Sequence, residues 1–135
     1  MNKQEINDLM LQAAGDAIEF AKSEFGVELD KTMESIDLID ALLLDCLPLL
    51  KDEATRDKNL FTLCNILGAY LGEVFIHYIG GEWFYDESDI NAPTTFIEFN
   101  GKTFAFPGIC YQKLINDPSV SVRKYFELAQ GKVMQ

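Results

Sequence analysis

The sequence predicts an α+β fold: three N-terminal helices with a buried central helix, a three-stranded antiparallel meander, and two short C-terminal helices. Three observations carry that prediction. Apolar residues recur at helical spacing as far as Ile79, the period drops to two from Glu82 onward, and Asn100-Gly101 separates two alternating runs. The chain has 135 residues, 48 % of them apolar. That is enough to bury roughly two-thirds of its unfolded surface, so residues 1–135 are read as a single domain.

The first helix is expected over Lys3 to Glu24. Ile6, Leu9, Met10, Ala13, Ala17, Ile18, Ala21 and Phe25 fall on one stripe, and Gly26 offers a stop. Thr32 can cap a second helix, with Glu34 near its positive end. Its buried side would run through Met33, Ile36, Ile39, Leu42, Leu43, Cys46 and Leu47 until Pro48 ends or kinks it. Lys51 to Lys58 reads as a charged link.

The third helix, Asn59 to Ile79, is apolar on nearly every side and belongs in the middle of the fold. It is long enough to span a bilayer, but Asn65, Glu73 and His77 interrupt it and no basic cluster flanks it, so no membrane role is expected. Gly68 and Gly72 sit four apart on one face. Each costs about 1 kcal/mol relative to alanine in a helix, and close packing would offset that. Gly80-Gly81 terminates the helix.

Glu82 to Asp86 reads as a strand and Glu87 to Pro93 as an acidic loop. Thr94–Phe99 and Lys102–Phe106 flank an Asn-Gly pair suited to a two-residue type I′ turn. That register sets Phe99 opposite Lys102, Ile97 opposite Phe104 and Thr95 opposite Phe106. Ile97, Phe99, Phe104 and Phe106 would then pack on the central helix. A short helix is expected over Ile109 to Ile115. A last one would start at Asp117-Pro118 and stop at Gly131.

Charge is the main functional signal. Twenty-two acidic side chains against 11 basic give a net charge of -11. Residues 1–57 carry a net of -9 and residues 82–99 a net of -5, whereas residues 100–135 carry +3. Phosphate repels such a chain, so no nucleic-acid partner is expected. On the second helix Glu34, Asp37, Asp40 and Asp45 span an arc of about 140°, opposite much of the apolar stripe. A second acidic stretch holds Glu82, Asp86, Glu87 and Asp89, with Trp83, Phe84, Tyr85 and Phe96 as possible aromatic anchors. Such surfaces speed encounter with a basic protein and select it, and aromatics supply the affinity. The partner-binding set is therefore Glu34, Asp37, Asp40, Glu82, Trp83, Asp86, Glu87 and Asp89. A solvated face and a covered core are the plainer alternatives for the acids and the aromatics.

Catalytic signals are sparse. Glu73 and His77 share a face of the central helix and define a possible acid–base pair, with Asn65 and Tyr70 nearby. The plainer alternative is a glutamate satisfied by a tyrosine hydroxyl or by the Trp83 indole N–H. A single histidine rules out multi-His metal sites, and neither H-E-x-x-H nor G-x-S-x-G occurs. No cofactor, metal or catalytic site is expected. Cys46, Cys64 and Cys110 are odd in number, far apart and set among apolar neighbours. With the polar N-terminus, they point to a reduced, cytoplasmic protein.

Leu67-Gly68-Ala69-Tyr70-Leu71-Gly72-Glu73-Val74, followed by Gly80-Gly81-Glu82-Trp83, resembles a pattern found in a group of small bacterial proteins. Phe99-Asn100-Gly101, Phe104-Ala105-Phe106-Pro107 and Lys113-Leu114 extend the resemblance, which covers about residues 27–126. It implies a fold more than an activity. In size, acidity and architecture the chain is also similar to immunity proteins, which neutralise a co-produced toxin. The expected function is thus an acidic cytoplasmic binding domain, most sharply an immunity-type inhibitor of a basic toxin. A general adaptor or self-associating domain, or a ligand-binding domain or enzyme centred on Glu73 and His77, are the alternatives.

Overall fold

Asn2 opens the first helix because its side-chain oxygen accepts the Glu5 N–H at 2.8 Å. Helix α1 runs from Lys3 to Phe25 in the computed structural model, which describes residues 1–89 and 94–134. Gly26 adopts the left-handed conformation at φ 65°, and the Gly26 and Val27 N–H groups return to the Lys22 and Ala21 carbonyls. The buried stripe of α1 is mostly small: Ile6, Met10, Ala13, Ala14, Ala17 and Ala21. Its alanines let α1 lie close along the central helix, while Leu9, expected in the stripe, is exposed.

The second helix is not continuous. Thr32 does cap it, accepting the Ser35 N–H, but residues Met33–Leu38 wind as a 3₁₀ helix before α2 takes over at Ile39–Asp45. A second 3₁₀ turn, Leu47–Leu50, follows with Pro48 in its first turn. The tighter winding changes the acidic face. Residues three apart nearly eclipse in a 3₁₀ helix, so Glu34 and Asp37 stand in a column rather than on an arc.

Helix α3 spans Arg56–Tyr78 and starts earlier than the charge pattern suggests. Arg56 Nε donates to the Leu50 carbonyl at 2.7 Å and Asn59 Nδ2 to Leu49 at 2.9 Å, which ties its first turn to the preceding segment. By length and composition α3 could cross a membrane, yet 61 % of its most apolar window is buried inside the domain. The two glycines have separate reasons. A Cβ at Gly68 would strike the Pro107 backbone, and one at Gly72 would overlap the Trp83 ring.

Strands β1 (Glu82–Asp86), β2 (Thr94–Phe99) and β3 (Lys102–Phe104) form an antiparallel sheet in the order β1-β2-β3. Of the expected loop Glu87–Pro93, residues 90–93 lie outside the described residues. Asn100 and Gly101 both have positive φ, 53° and 75°, as a type I′ turn requires. Ile97 pairs with Phe104 and Phe99 with Lys102 as the register predicts. The third expected pair, Thr95 with Phe106, does not form. Pro107 has no N–H to continue a ladder, and the Ala105 N–H goes to Tyr125 Oη at 3.0 Å. Phe106 begins α4 (Phe106–Tyr111), which passes into a π-helical turn, Gln112–Asn116.

The last helix also departs from expectation. Asp117 closes a turn instead of a helix, accepting from Ser119 N at 3.0 Å and Ser119 Oγ at 2.7 Å. Helix α5 is Val122–Met134, and its N-terminus is capped twice. Ser121 Oγ accepts the Lys124 N–H, and the Asp40 carboxylate of α2 accepts the Val122 and Arg123 N–H groups at 2.7 and 3.1 Å. Phe75 marks the centre of the core. Its ring lies 5.2 Å from Phe104, 5.5 Å from Phe106 and 5.6 Å from Phe126, so sheet, α4 and α5 meet on α3 there.

Candidate functional site

Two of the expected partner-binding residues are committed to the interior. Trp83 is only 2 % exposed, packed against the bare backbone at Gly72, so it is a core residue and not an anchor for a partner. Its indole N–H donates to Glu73 Oε2 at 2.8 Å. Asp40 holds α5 and also lies 3.4 Å from the ammonium of Lys113, a side chain 5 % exposed. Lys113 in turn donates to the Pro118 and Val120 carbonyls at 2.7 and 2.6 Å. Asp40 is thus a hinge pin between α2 and α5 and leaves the surface cluster.

Glu34 and Asp37 do come together. They line a groove of about 270 Å³ between the 3₁₀ segment and α5, along with Arg123, Glu127 and the apolar edge of Met33. Arg123 Nη1 reaches Asp37 at 2.8 Å and its Nε reaches Glu127 at 2.9 Å. Those two acids hold its charge, and the guanidinium pKa is raised further by its hydrogen bond to Glu127 and by the field of Asp37. Three carboxylates and one guanidinium give the groove a formal charge of -2. Arg123 and Glu127 were the part sequence reasoning missed. Their four-residue spacing was the available sign.

The second acidic stretch is looser. Glu82 pairs with Lys3 at the start of α1, Asp86 accepts the Ser88 N–H at 2.8 Å, and Glu87 and Asp89 are exposed. Hydrogen bonding from Ser88 holds the Asp86 carboxyl below its ordinary pKa. On the outer face of the sheet Phe84 and Phe96 are cross-strand partners, stacked with ring centroids 5.9 Å apart and planes 11° from parallel. Tyr85 faces the other way and is half-buried against the core.

Glu73 and His77 line a separate cleft of about 310 Å³ between α1, the Asp30–Lys31 loop and α3. Helix α3 contributes Tyr70, Glu73, His77 and Tyr78 from one face, whereas Asn65 lines a different groove beside Phe61 and Cys64. Tyr70 is fully buried and its hydroxyl organises the loop. It accepts the Lys31 N–H at 2.9 Å and donates to Ser35 Oγ at 2.5 Å, which donates on to the Thr32 carbonyl at 2.6 Å. Burial is the main reason the Tyr70 pKa is raised. Lys31, at φ 65°, is kept in a left-handed conformation uncommon for a side chain of its size. Among the described residues no group of three or more His, Cys, Asp or Glu side chains is placed to hold a metal ion.

All three cysteines are free and buried. Burial pushes the Cys46 and Cys64 thiols up to about 12 and Cys110 upward as well, which suits packing rather than nucleophilic chemistry. The fold and its surface define an acidic α+β domain with a charged groove and a small cleft. Comparison with protein-family models, curated proteins and solved structures finds no match to this chain.

Proposed function

We propose that the chain is an acidic, non-enzymatic protein-binding domain of the cytoplasm, and in its most specific form an immunity-type inhibitor that neutralises a basic bacterial toxin. It is taken as one domain of three N-terminal helices, a meander and two C-terminal helices, with the docking face where the second N-terminal helical segment meets α5. The observation that carries it is the groove between the 3₁₀ segment and α5, where Glu34, Asp37 and Glu127 share the lining with a single Arg123. A lysine or arginine of the partner entering that groove would meet two uncompensated negative charges beside an apolar wall. The net charge of -11 would draw such a partner in from a distance. Asp86, Glu87 and Asp89 extend the attraction around β1.

A tagged chain should retain a basic protein from lysate of its source cells at low salt and release it at high salt, with the partner identified by mass spectrometry. Long-range attraction between exposed charges is screened over about 8 Å at physiological ionic strength. Glu34→Lys with Asp37→Lys should abolish that retention while melting stays nearly unchanged, because an exposed pair such as Asp37–Arg123 contributes about 1 kcal/mol or less. Undiminished retention by the double variant would remove the groove from the proposal. An adaptor or self-associating role draws on a different feature, the outward Phe84–Phe96 stack. Light scattering across concentration separates it, since only self-association raises the mass.

A further inference from the structure

Glu73 presents an unresolved balance of charge. Glu73 is half-buried in the apolar middle of α3, and among the described residues its one partner is a neutral indole N–H on Oε2. Among the described residues no cation pairs with it and nothing donates to Oε1. A carboxylate removed from bulk water is stabilised by a cationic hydrogen-bond donor, and the space beside this one is the cleft it lines.

We propose that this cleft binds a small amphipathic ligand bearing a primary ammonium group, with Glu73 as its counter-ion. The Trp83 indole fixes one oxygen of Glu73 and so sets the carboxylate in place before a ligand arrives. Asp30, whose Oδ1 is engaged by Thr32, lines the same cleft and adds a second negative charge. Leu11, Ala14 and Val74 give an apolar surface for the ligand's body. Tyr78 offers an aromatic ring of the kind that attracts cations. At about 310 Å³ the cleft lies at the small end of the range that small-molecule sites occupy. Lys31, also on the wall, suits a ligand that carries a carboxylate beside its ammonium, as an α-amino acid does, while simple alkylamines and apolar α-amino acids share the ammonium and the apolar body.

Trp83 is the chain's one tryptophan and touches Glu73 directly, so its fluorescence reports on the site. The full chain is titrated at constant ionic strength with n-hexylamine, with leucine and with n-hexanol. A saturable change with hexylamine or leucine, absent with hexanol, is the expected result. Saturation by leucine alone assigns the ligand to the amino acids and a role to Lys31; saturation by both assigns recognition to the ammonium. Glu73→Gln keeps an acceptor for the indole and should weaken binding at least ten-fold. Leu11→Phe, an exposed position on α1, should block the cleft without touching the core, which keeps the test decisive if Glu73→Gln fails to fold. Equal response to hexanol, or no saturable response to either amine, overturns the proposal. None of these results depends on the acidic groove.

Discussion

Asp37 and Asp40 lie three residues apart in one acidic run, yet the structure predicts very different consequences for losing them. Asp40→Ala removes the acceptor for two N–H groups at the start of α5, one of them on Val122, which is fully buried. Loss of such a cap costs about 1 kcal/mol. The same substitution takes the carboxylate away from buried Lys113, which still donates to two carbonyls but loses the charge that balances it. Leaving a buried donor or charge short of a partner costs about 1–3 kcal/mol. The expected destabilisation is therefore about 2–4 kcal/mol. Asp37→Ala breaks only a half-exposed bridge to Arg123 and should cost about 1 kcal/mol or less. Urea unfolding followed by Trp83 fluorescence measures both, with the slope against denaturant checked to be equal in the two variants. Asp40→Asn retains one acceptor oxygen and should fall between them. If Asp40→Ala and Asp37→Ala lie within about 0.5 kcal/mol of each other, α5 is not held by Asp40 and the docking of that helix has been misassigned.

Gly72→Ala should destabilise by about 1–3 kcal/mol or more, because the added methyl overlaps the Trp83 ring, and Gly15→Ala, in open space on α1, serves as the control that should stabilise slightly; equal melting of the two would refute the close approach. The cysteine thiols should react with a thiol reagent far more slowly in the native chain than in urea at the same pH, since burial raises all three, and rapid native labelling of any one would contradict its burial. Asp30, Asp86 and Asp117 each have a folded-state pKa held below the ordinary 3.8, chiefly by a side-chain hydrogen bond from the Ser or Thr two residues on. Their stabilisation is complete above that value and lost as pH falls through the folded-state pKa, so thermal melts at about pH 2–6 should show a triple Asp→Asn variant losing less stability on acidification than the parent, and parallel curves would remove the turns as its source.

The sheet was legible because its determinants are local. Asn100-Gly101 fixes the turn, the turn fixes the register, and alternation then assigns Ile97 and Phe104 to the core face. The central helix was legible from its apolar surface, and its glycines from their cost in a helix. What failed was decided by partners distant in sequence. Nothing near Asp40 announces that it caps a helix starting 82 residues later, and an acid on a polar arc looks alike whether it faces water or a helix end. The start of α5 differs from the expected one for a separate reason. Asp117-Pro118 imitates a helix start, but Ser119 completes an Asp-x-Ser turn and Ser121 is the true cap, and the same Asp-x-Ser/Thr triplet recurs at Asp30 and Asp86.

The aromatic half of the expected docking surface illustrates how burial divides residues that are adjacent in a strand. Trp83 and Phe84 stand side by side, but the two-residue period of β1 sends Trp83 onto Gly72 and Phe84 outward against Phe96. Composition alone treats them as equivalent anchors. Once Trp83 belongs to the core, the Glu73 carboxylate it bonds joins its hydrogen-bond network, and four of the acids sort into three groups by what they face. Asp40 faces a helix end and a buried lysine, Glu34 and Asp37 face an open groove, and Glu73 faces a cleft in which, among the described residues, no cation pairs with it. The first group is expected to govern stability and, under the proposed function, the second association. The third is distinguished from both because neutralising Glu73 should alter a ligand titration while leaving retention of a basic protein intact, and charge reversal at Glu34 and Asp37 should do the opposite. Measuring both variants in both assays therefore tests whether Glu73 and the Glu34–Asp37 pair serve one acidic surface or two independent sites.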